Sequence, residues 1–247
     1  QRQMCIRDRF KEANDLAVRT SHWQDGGEGG RHLGFALKID MDASGAVRDY
    51  RRICNYETGE ITVQWSDERG AWKRRSFVSR DADVAVFELQ ASSAGKLNCA
   101  ISLQMPAEMN FPKGLKTKCL HTKDYLNIRV NYAAPMDTIG YEGGIRVKQK
   151  GGSSFLRNDT LYIKDASEIL LLSRTQKYPE NCGAEWNKGL LKKGLDAIRA
   201  NYNGLLKAHK ALHTSIYNRV RIDLGATPQE RSLSNDCLLY TSPSPRD

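Results

Sequence analysis

Residues 50–80 read YRRICNYETGEITVQWSDERGAWKRRSFVSR and constrain the fold more than any other stretch. Ile61, Val63 and Trp65 alternate with Thr62, Gln64 and Ser66, the period of a half-buried strand. Ser66 to Gly70 is turn chemistry, and Trp72 to Ser79 returns as a second strand. Two runs joined by a short polar loop containing glycine predict an antiparallel hairpin. Tyr50-Arg51-Arg52 lies about one strand length upstream.

The same period continues on both sides. Gly34 to Asp40 alternates through Phe35, Leu37 and Ile39. Asp83 to Leu89 (DVAVFEL) is nearly continuous apolar chain, as in a strand covered on both faces. Lys96 to Met105 alternates through Leu97, Cys99, Ile101 and Leu103, and Tyr125 to Tyr132 through Leu126, Ile128 and Val130. Pro106 to Lys118 reads as a loop. Ile145 with Val147, and Leu161 with Ile163, mark two further short strands with Gly151-Gly152 turning between them. Ala166 to Leu172 closes the β region. Short strands at regular spacing with turn signals predict a large sandwich.

From Trp186 the period changes. Leu195, Ile198, Tyr202, Leu205, His209, Leu212 and Ile216 are three or four residues apart, one face of a helix. Gly194 is expected to separate a short helix from a longer one, since glycine lowers helix propensity by about 1 kcal/mol relative to alanine. Val220 to Gly225 reads as extended again.

The order of these pieces resembles glycoside hydrolase family 95, a family of α-L-fucosidases and relatives acting on α-L-galactosides. The resemblance rests on Leu33-Gly34 with Leu37, the Tyr50-Arg51-Arg52 segment, and the R-x-F-x-S strand Arg75-Ser76-Phe77-Val78-Ser79. It continues through Gly95 to Leu103, then Leu206, His209, Tyr217, Asn218-Arg219-Val220 and Ile222-Asp223-Leu224-Gly225. Pro228-Gln229-Glu230-Arg231 follows as a looser match, and Pro106 to Lys118 is the weak stretch. What the resemblance implies is a mainly β fold, a large antiparallel β-sandwich (supersandwich) followed by an α-helical linker, with the catalytic α/α toroid absent. The sandwich is expected over residues 10–175, the linker over 176–225 and the start of the catalytic domain over 226–236. The family's catalytic acid, and the asparagine and aspartate that activate water, belong to the toroid. No catalytic, cofactor-binding or metal residue is therefore assigned here, and the chain alone is expected to be inactive.

Residues 1–9 and 237–247 resemble translated sequencing adapters and are set aside from fold reasoning. Residues 1–9 hold Arg2, Arg7, Arg9 and Asp8, a net +2, so the formal charge of +9 becomes +7 without them. Six cysteines become four: Cys54, Cys99, Cys119 and Cys182. None forms a C-x-x-C pair, which argues against a zinc site, and buried free thiols are the reading. The compartment stays open, secretion or the periplasm being compatible, because the native start is expected to be missing. No run of about 18 apolar residues exists, so no membrane span is expected.

Local alternatives read as structural. Asp40 and Asp42 sit at a strand end, where acids serve turns more often than paired-carboxylate chemistry. Lys73-Arg74-Arg75 beside Trp72 splits between two strand faces, so a nucleic-acid partner is not expected. His209 falls on the apolar helix stripe and is expected to be packed and hydrogen-bonded. His22, His32, His121 and His213 lack metal-ligand spacing. Trp65 and Trp72 are expected to pack between sheets rather than to stack on sugar. The substrate partner implied by the resemblance is a fucosylated glycan, met through the missing domain and with no cofactor. The rivals are a non-catalytic carbohydrate-binding sandwich, and the N-terminal domain of a related toroid glycosidase or phosphorylase.

Overall fold

The computed structural model describes residues 34–41, 44–92, 96–105, 114–132, 140–178, 189–221, 225 and 227–229. The expectations that fall on the two ends, on Asp42, on Cys182, on Trp186 and on residues 222–224 lie outside the described residues.

Among the described residues twelve strands form two antiparallel sheets. The eight-stranded sheet has the order β2 (Arg48–Asn55), β3 (Glu60–Asp67), β4 (Gly70–Ser79), β5 (Val84–Ala91), β12 (Glu168–Tyr178), β9 (Gly140–Lys150), β8 (Tyr125–Asn131) and β7 (Lys116–Cys119). The four-stranded sheet has the order β1 (Ala36–Asp40), β6 (Leu97–Gln104), β11 (Thr160–Ala166) and β10 (Ser153–Arg157). Among the described residues two helices follow, α1 (Leu190–Ala197) and α2 (Tyr202–Tyr217). The expected sandwich is present.

Strand parity divides the apolar residues into two cores. Between the two sheets lie Ile169 and Leu171 of β12 with Leu89, Ile128 and Ile145 from the large sheet, and Ile101 and Leu161 from the small one. Facing the helices are Leu170 and Leu172 of the same strand with Phe77, Val84 and Val86. Leu191, Leu195, Tyr202 and Leu205 pack on that second face. The middle strands of the large sheet are thus covered on both sides. This is why β5 reads as continuous apolar sequence rather than as an alternation. Trp72 is buried in the first core, with Trp65 packed against it.

Several local expectations need correction. Ile145 and Val147 lie in an eleven-residue strand, and Gly151-Gly152 leads into β10 rather than β11. Asn158-Asp159 then makes the turn between β10 and β11. Both residue pairs hold positive φ, but only Asn158-Asp159 joins paired strands, as a two-residue hairpin turn of the I′ kind, whereas Gly151-Gly152 carries the chain from the large sheet to the small one. Lys116 to Lys118, read as loop, belong to the short edge strand β7. Strand structure in β12 runs on through Tyr178.

Gly194 does not divide the helices; it sits inside α1. The break falls at Ile198, which is extended and where Arg146 closes the helix end. The Arg146 guanidinium donates to the carbonyl oxygens of Leu195 (2.9 Å) and Ile198 (2.7 Å), satisfying groups that a further turn of helix would have used. Asn201 restarts the chain as the N-cap of α2, its side chain accepting from Gly204 N–H at 2.8 Å. Among the described residues no helix is long and apolar enough to cross a membrane.

Candidate functional site

A dense polar construction lies on the face where α2 docks. Arg75 and Phe77 lie on one side of β4 and point toward the helices. Arg75 stands directly opposite Glu88 of β5, and its Nε donates to Glu88 Oε2 at 2.8 Å. Its guanidinium also lies 3.8 Å from Glu60 Oε1 and 4.1 Å from the centre of the Tyr202 ring. Tyr202 donates its hydroxyl proton to Glu60 Oε1 at 2.8 Å. Two carboxylates near one another suggest acid–base chemistry at first sight. Here both are committed to Arg75, and Glu60 also accepts from Tyr202, so neither carboxylate is left as an unpaired acid or base. Burial pushes the Glu88 carboxyl upward, opposed by the hydrogen bond and charge of Arg75.

One turn further along α2, Phe77 meets the edge of the Tyr202 ring and stacks on His209, each at 5.2 Å between centres. His209 is buried, 2% exposed. Its Nδ1 accepts from the backbone N–H of Arg80 at 3.3 Å, so the proton is on Nε2, which donates to the Thr58 carbonyl at 3.0 Å. His213 makes the neighbouring pair of contacts, with Tyr56 O at 2.9 Å and Arg80 Nε at 3.2 Å, and Thr214 donates to Glu57 O at 3.0 Å. Three consecutive carbonyls of the β2–β3 turn thus receive side chains of α2. Gly59 permits this approach: its φ is +64°, and a Cβ there would stand 3.0 Å from His209 Nε2.

A second polar cluster lies on the same face of the sheet near α1. Glu142 is buried and accepts from Asn127 Nδ2 at 2.7 Å, from Arg129 Nε at 3.2 Å and from the Tyr178 hydroxyl. Tyr125 joins through Asn127 at 3.2 Å. Burial, reinforced by the Glu142 charge, holds the Tyr125 and Tyr178 hydroxyls far above the ordinary tyrosine range. The carboxylate is enclosed by donors and has no exposed edge to offer a substrate.

An open groove of about 470 Å³ crosses the far end of this face, over Arg51, Gln64, Lys73 and Gln90. These four stand opposite one another in register. Trp65 and Trp72 are also among the groove's lining residues, and both take part in the sandwich core. Among the described residues no group of three or more His, Cys, Asp or Glu side chains could hold a metal ion.

A sandwich of this topology, followed at once by docked helices, is the context in which the family comparison decides. The model of the glycosyl hydrolase family 65 N-terminal domain matches residues 2–179. The chain belongs to that family. Among solved structures, this family 65 N-terminal domain is similar to a protein assigned as a kojibiose phosphorylase, from the human microbiome. The TM-score is 0.52 at 10% identity, and the likeness covers 73% of this chain but 27% of that one. At that identity it speaks for the fold. No curated protein matches the chain. The broad expectation of a glycoside hydrolase-type N-terminal sandwich therefore stands, whereas the match is to family 65 and not to family 95.

The residues singled out in the sequence take structural places in this family 65 domain. Asp40 ends β1 and pairs with Lys38 at 2.9 Å. Lys73 and Arg75 face the helices and Arg74 faces the sandwich, so the basic run is divided as strand parity requires. His209 is packed and hydrogen-bonded as expected. Cys99 is buried, but Cys54 is exposed on the edge strand β2, so the expectation of buried thiols fails there. All eight residues of β2 are exposed because β3 is its one sheet neighbour among the described residues. Sequence reasoning missed Glu88, Glu142, Tyr178 and Arg80. A lone acid inside DVAVFEL was the available signal for Glu88, since a buried carboxylate needs a cation, and Arg75 lies on the adjacent strand of the hairpin.

Proposed function

We propose that this domain supports and aligns the catalytic domain of a longer enzyme that cleaves terminal α-L-fucosyl or α-L-galactosyl linkages with inversion at the anomeric carbon. The family 65 N-terminal match supports a glycosidase-type parent, and the fucosyl or galactosyl specificity rests on the co-linear motifs of the family 95 resemblance, which run from Tyr50-Arg51-Arg52 to Asp223-Leu224-Gly225. The geometry supports a scaffolding role. The R-x-F-x-S strand spends Arg75 and Phe77 on holding α2, and Ser79 Oγ accepts from Ala82 N–H to close the next turn. Those motif residues position a helix rather than a substrate. Inverting cleavage needs an acid on the leaving oxygen and a base-activated water on the opposite face, with about 6.5–9.5 Å between the two groups. Glu60 with Glu88, the nearest carboxylates on this face, share one arginine and leave no such space.

A second reading has its own support: the fold likeness is to a protein assigned as a phosphorylase. The two readings part on the acceptor, water or inorganic phosphate. The test is to purify the complete gene product and incubate it with an aryl α-L-fucoside and, separately, with kojibiose, each with and without phosphate. Proton NMR follows the first-formed sugar. Phosphate-independent release of β-L-fucose is the result expected. Release of α-L-fucose first overturns inversion, and phosphate-dependent cleavage of kojibiose selects the second reading.

A further inference from the structure

The hydrogen-bond roles at His209 have a consequence for how the helix is held. Nδ1 faces a donor, the Arg80 N–H, and Nε2 faces an acceptor, the Thr58 carbonyl. A protonated imidazole carries a hydrogen on both nitrogens. In the docked position its Nδ1–H would point at the Arg80 N–H, two donors facing each other across 3.3 Å, a gap too short for a bridging water, with the guanidinium of Arg80 beside His213. Phe77 covers the ring face. The docked helix therefore requires neutral His209. Once α2 leaves the sheet, the ring meets solvent and takes a proton as an ordinary histidine does.

We propose that His209 is an acid-releasable pin for α2: docking and protonation of this ring exclude one another, so a fall in pH below about 6.5 loosens the helix from the β2–β3 and β4–β5 turns. Burial lowers the basicity of the ring, and the neighbouring His213, 5.0 Å away between ring centres, and Arg80 act in the same direction. The ionisable groups on the elements around it are Tyr56 and Glu57 on the β2–β3 turn, and Arg80 and Asp81 on the β4–β5 turn. His213, Lys210 and Tyr217 lie on α2 itself. Toward the helix start stand Glu60, Arg75, Glu88 and Tyr202. Of these, Glu88 is the carboxyl whose titration is shifted toward the same window, upward by burial.

Linkage sets the size of the effect. A ring that is neutral when docked and has an ordinary value near 6.5 when released raises the opening constant by about tenfold between pH 7.5 and 5.5. Amide hydrogen exchange of α2 in the intact chain, corrected for the intrinsic pH dependence of exchange, reads this directly. The wild type should show the tenfold rise in α2 opening. His209→Gln keeps a donor and an acceptor but cannot titrate, and should show none. His213→Gln and Glu88→Gln should keep the rise. If His209→Gln does not fold, nitrogen-resolved NMR of the wild-type ring decides instead. The Nε2–H tautomer should persist until α2 protection is lost. A ring that becomes protonated while α2 stays protected, or a His209→Gln chain that keeps the full rise, overturns the proposal.

Discussion

Replacing Arg75 by methionine tests the docking face most directly. The side chains of Arg75 and Glu88 are 17% and 4% exposed, so the pair lies in the range where removing one partner strands a buried charge. Breaking such a pair costs about 3–5 kcal/mol. For a chain of this size each kcal/mol moves the melting temperature by about 2–4 °C, so Arg75→Met should melt about 6–20 °C lower. The double variant Arg75→Met/Glu88→Met removes both charges and fills the space, and should return to within about 2 kcal/mol of the parent. The pH dependence has a definite sign. Glu88 has a folded-state value raised above 4.5, so its contribution is fully present below the unfolded value and is lost as pH rises through the folded value. Without Arg75 the folded value rises further, and the single variant should lose more stability at pH 7.5 than at pH 5. Calorimetry of the four chains of this cycle, at both pH values, supplies every number. A single variant within about 3 °C of the parent, or a double variant as unstable as the sum of two singles, refutes the hub role of Arg75.

Three further outcomes follow from other contacts. Gly144→Ala places a Cβ 2.6 Å from the Tyr125 hydroxyl and 2.9 Å from Leu191, which should cost about 1–3 kcal/mol in thermal melts through the α1 contact. Tyr178→Phe removes a charge-assisted hydrogen bond to buried Glu142 and should cost about 1.5–3 kcal/mol, measured by urea unfolding at constant slope. Burial pushes the Cys99 thiol up to about 12, so alkylation mapped by mass spectrometry should modify Cys54 in the native chain and Cys99 after unfolding.

The sandwich was legible because its strands obey a period of two with clear punctuation. The alternations at Ile61 to Trp65 and Leu97 to Leu103, and the two-face burial implied by DVAVFEL, each correspond to a strand in place. Strand β10 was not legible: Phe155 and Leu156 are adjacent and exposed, so no alternation marks it. Asn158-Asp159, a two-residue turn pair, was the overlooked sign. The helix break was misplaced because propensity places it at Gly194, whereas the deciding group is Arg146, some fifty residues earlier in the chain. The polar clusters were illegible for the same reason. Glu142, Asn127 and Tyr178 come from three strands, and only the sheet register brings them together. Among the stripe residues, Leu195, Tyr202 and Leu205 are buried, whereas Leu212 and Ile216 remain 45% and 48% exposed. One stripe in the sequence thus serves two surroundings.

The shared use of β12 bears on where this protein can be cut. Leu170 and Leu172 alternate with Ile169 and Leu171, and each pair seals a different compartment. A truncation at Tyr178 would preserve every strand of the sandwich. It would also bare Phe77, Val84, Val86, Leu170 and Leu172 together, because the described residues that roof them, from Leu191 to Leu205, lie beyond that cut. A unit that keeps this face covered therefore has to extend through α2, beyond the end of the family match at residue 179.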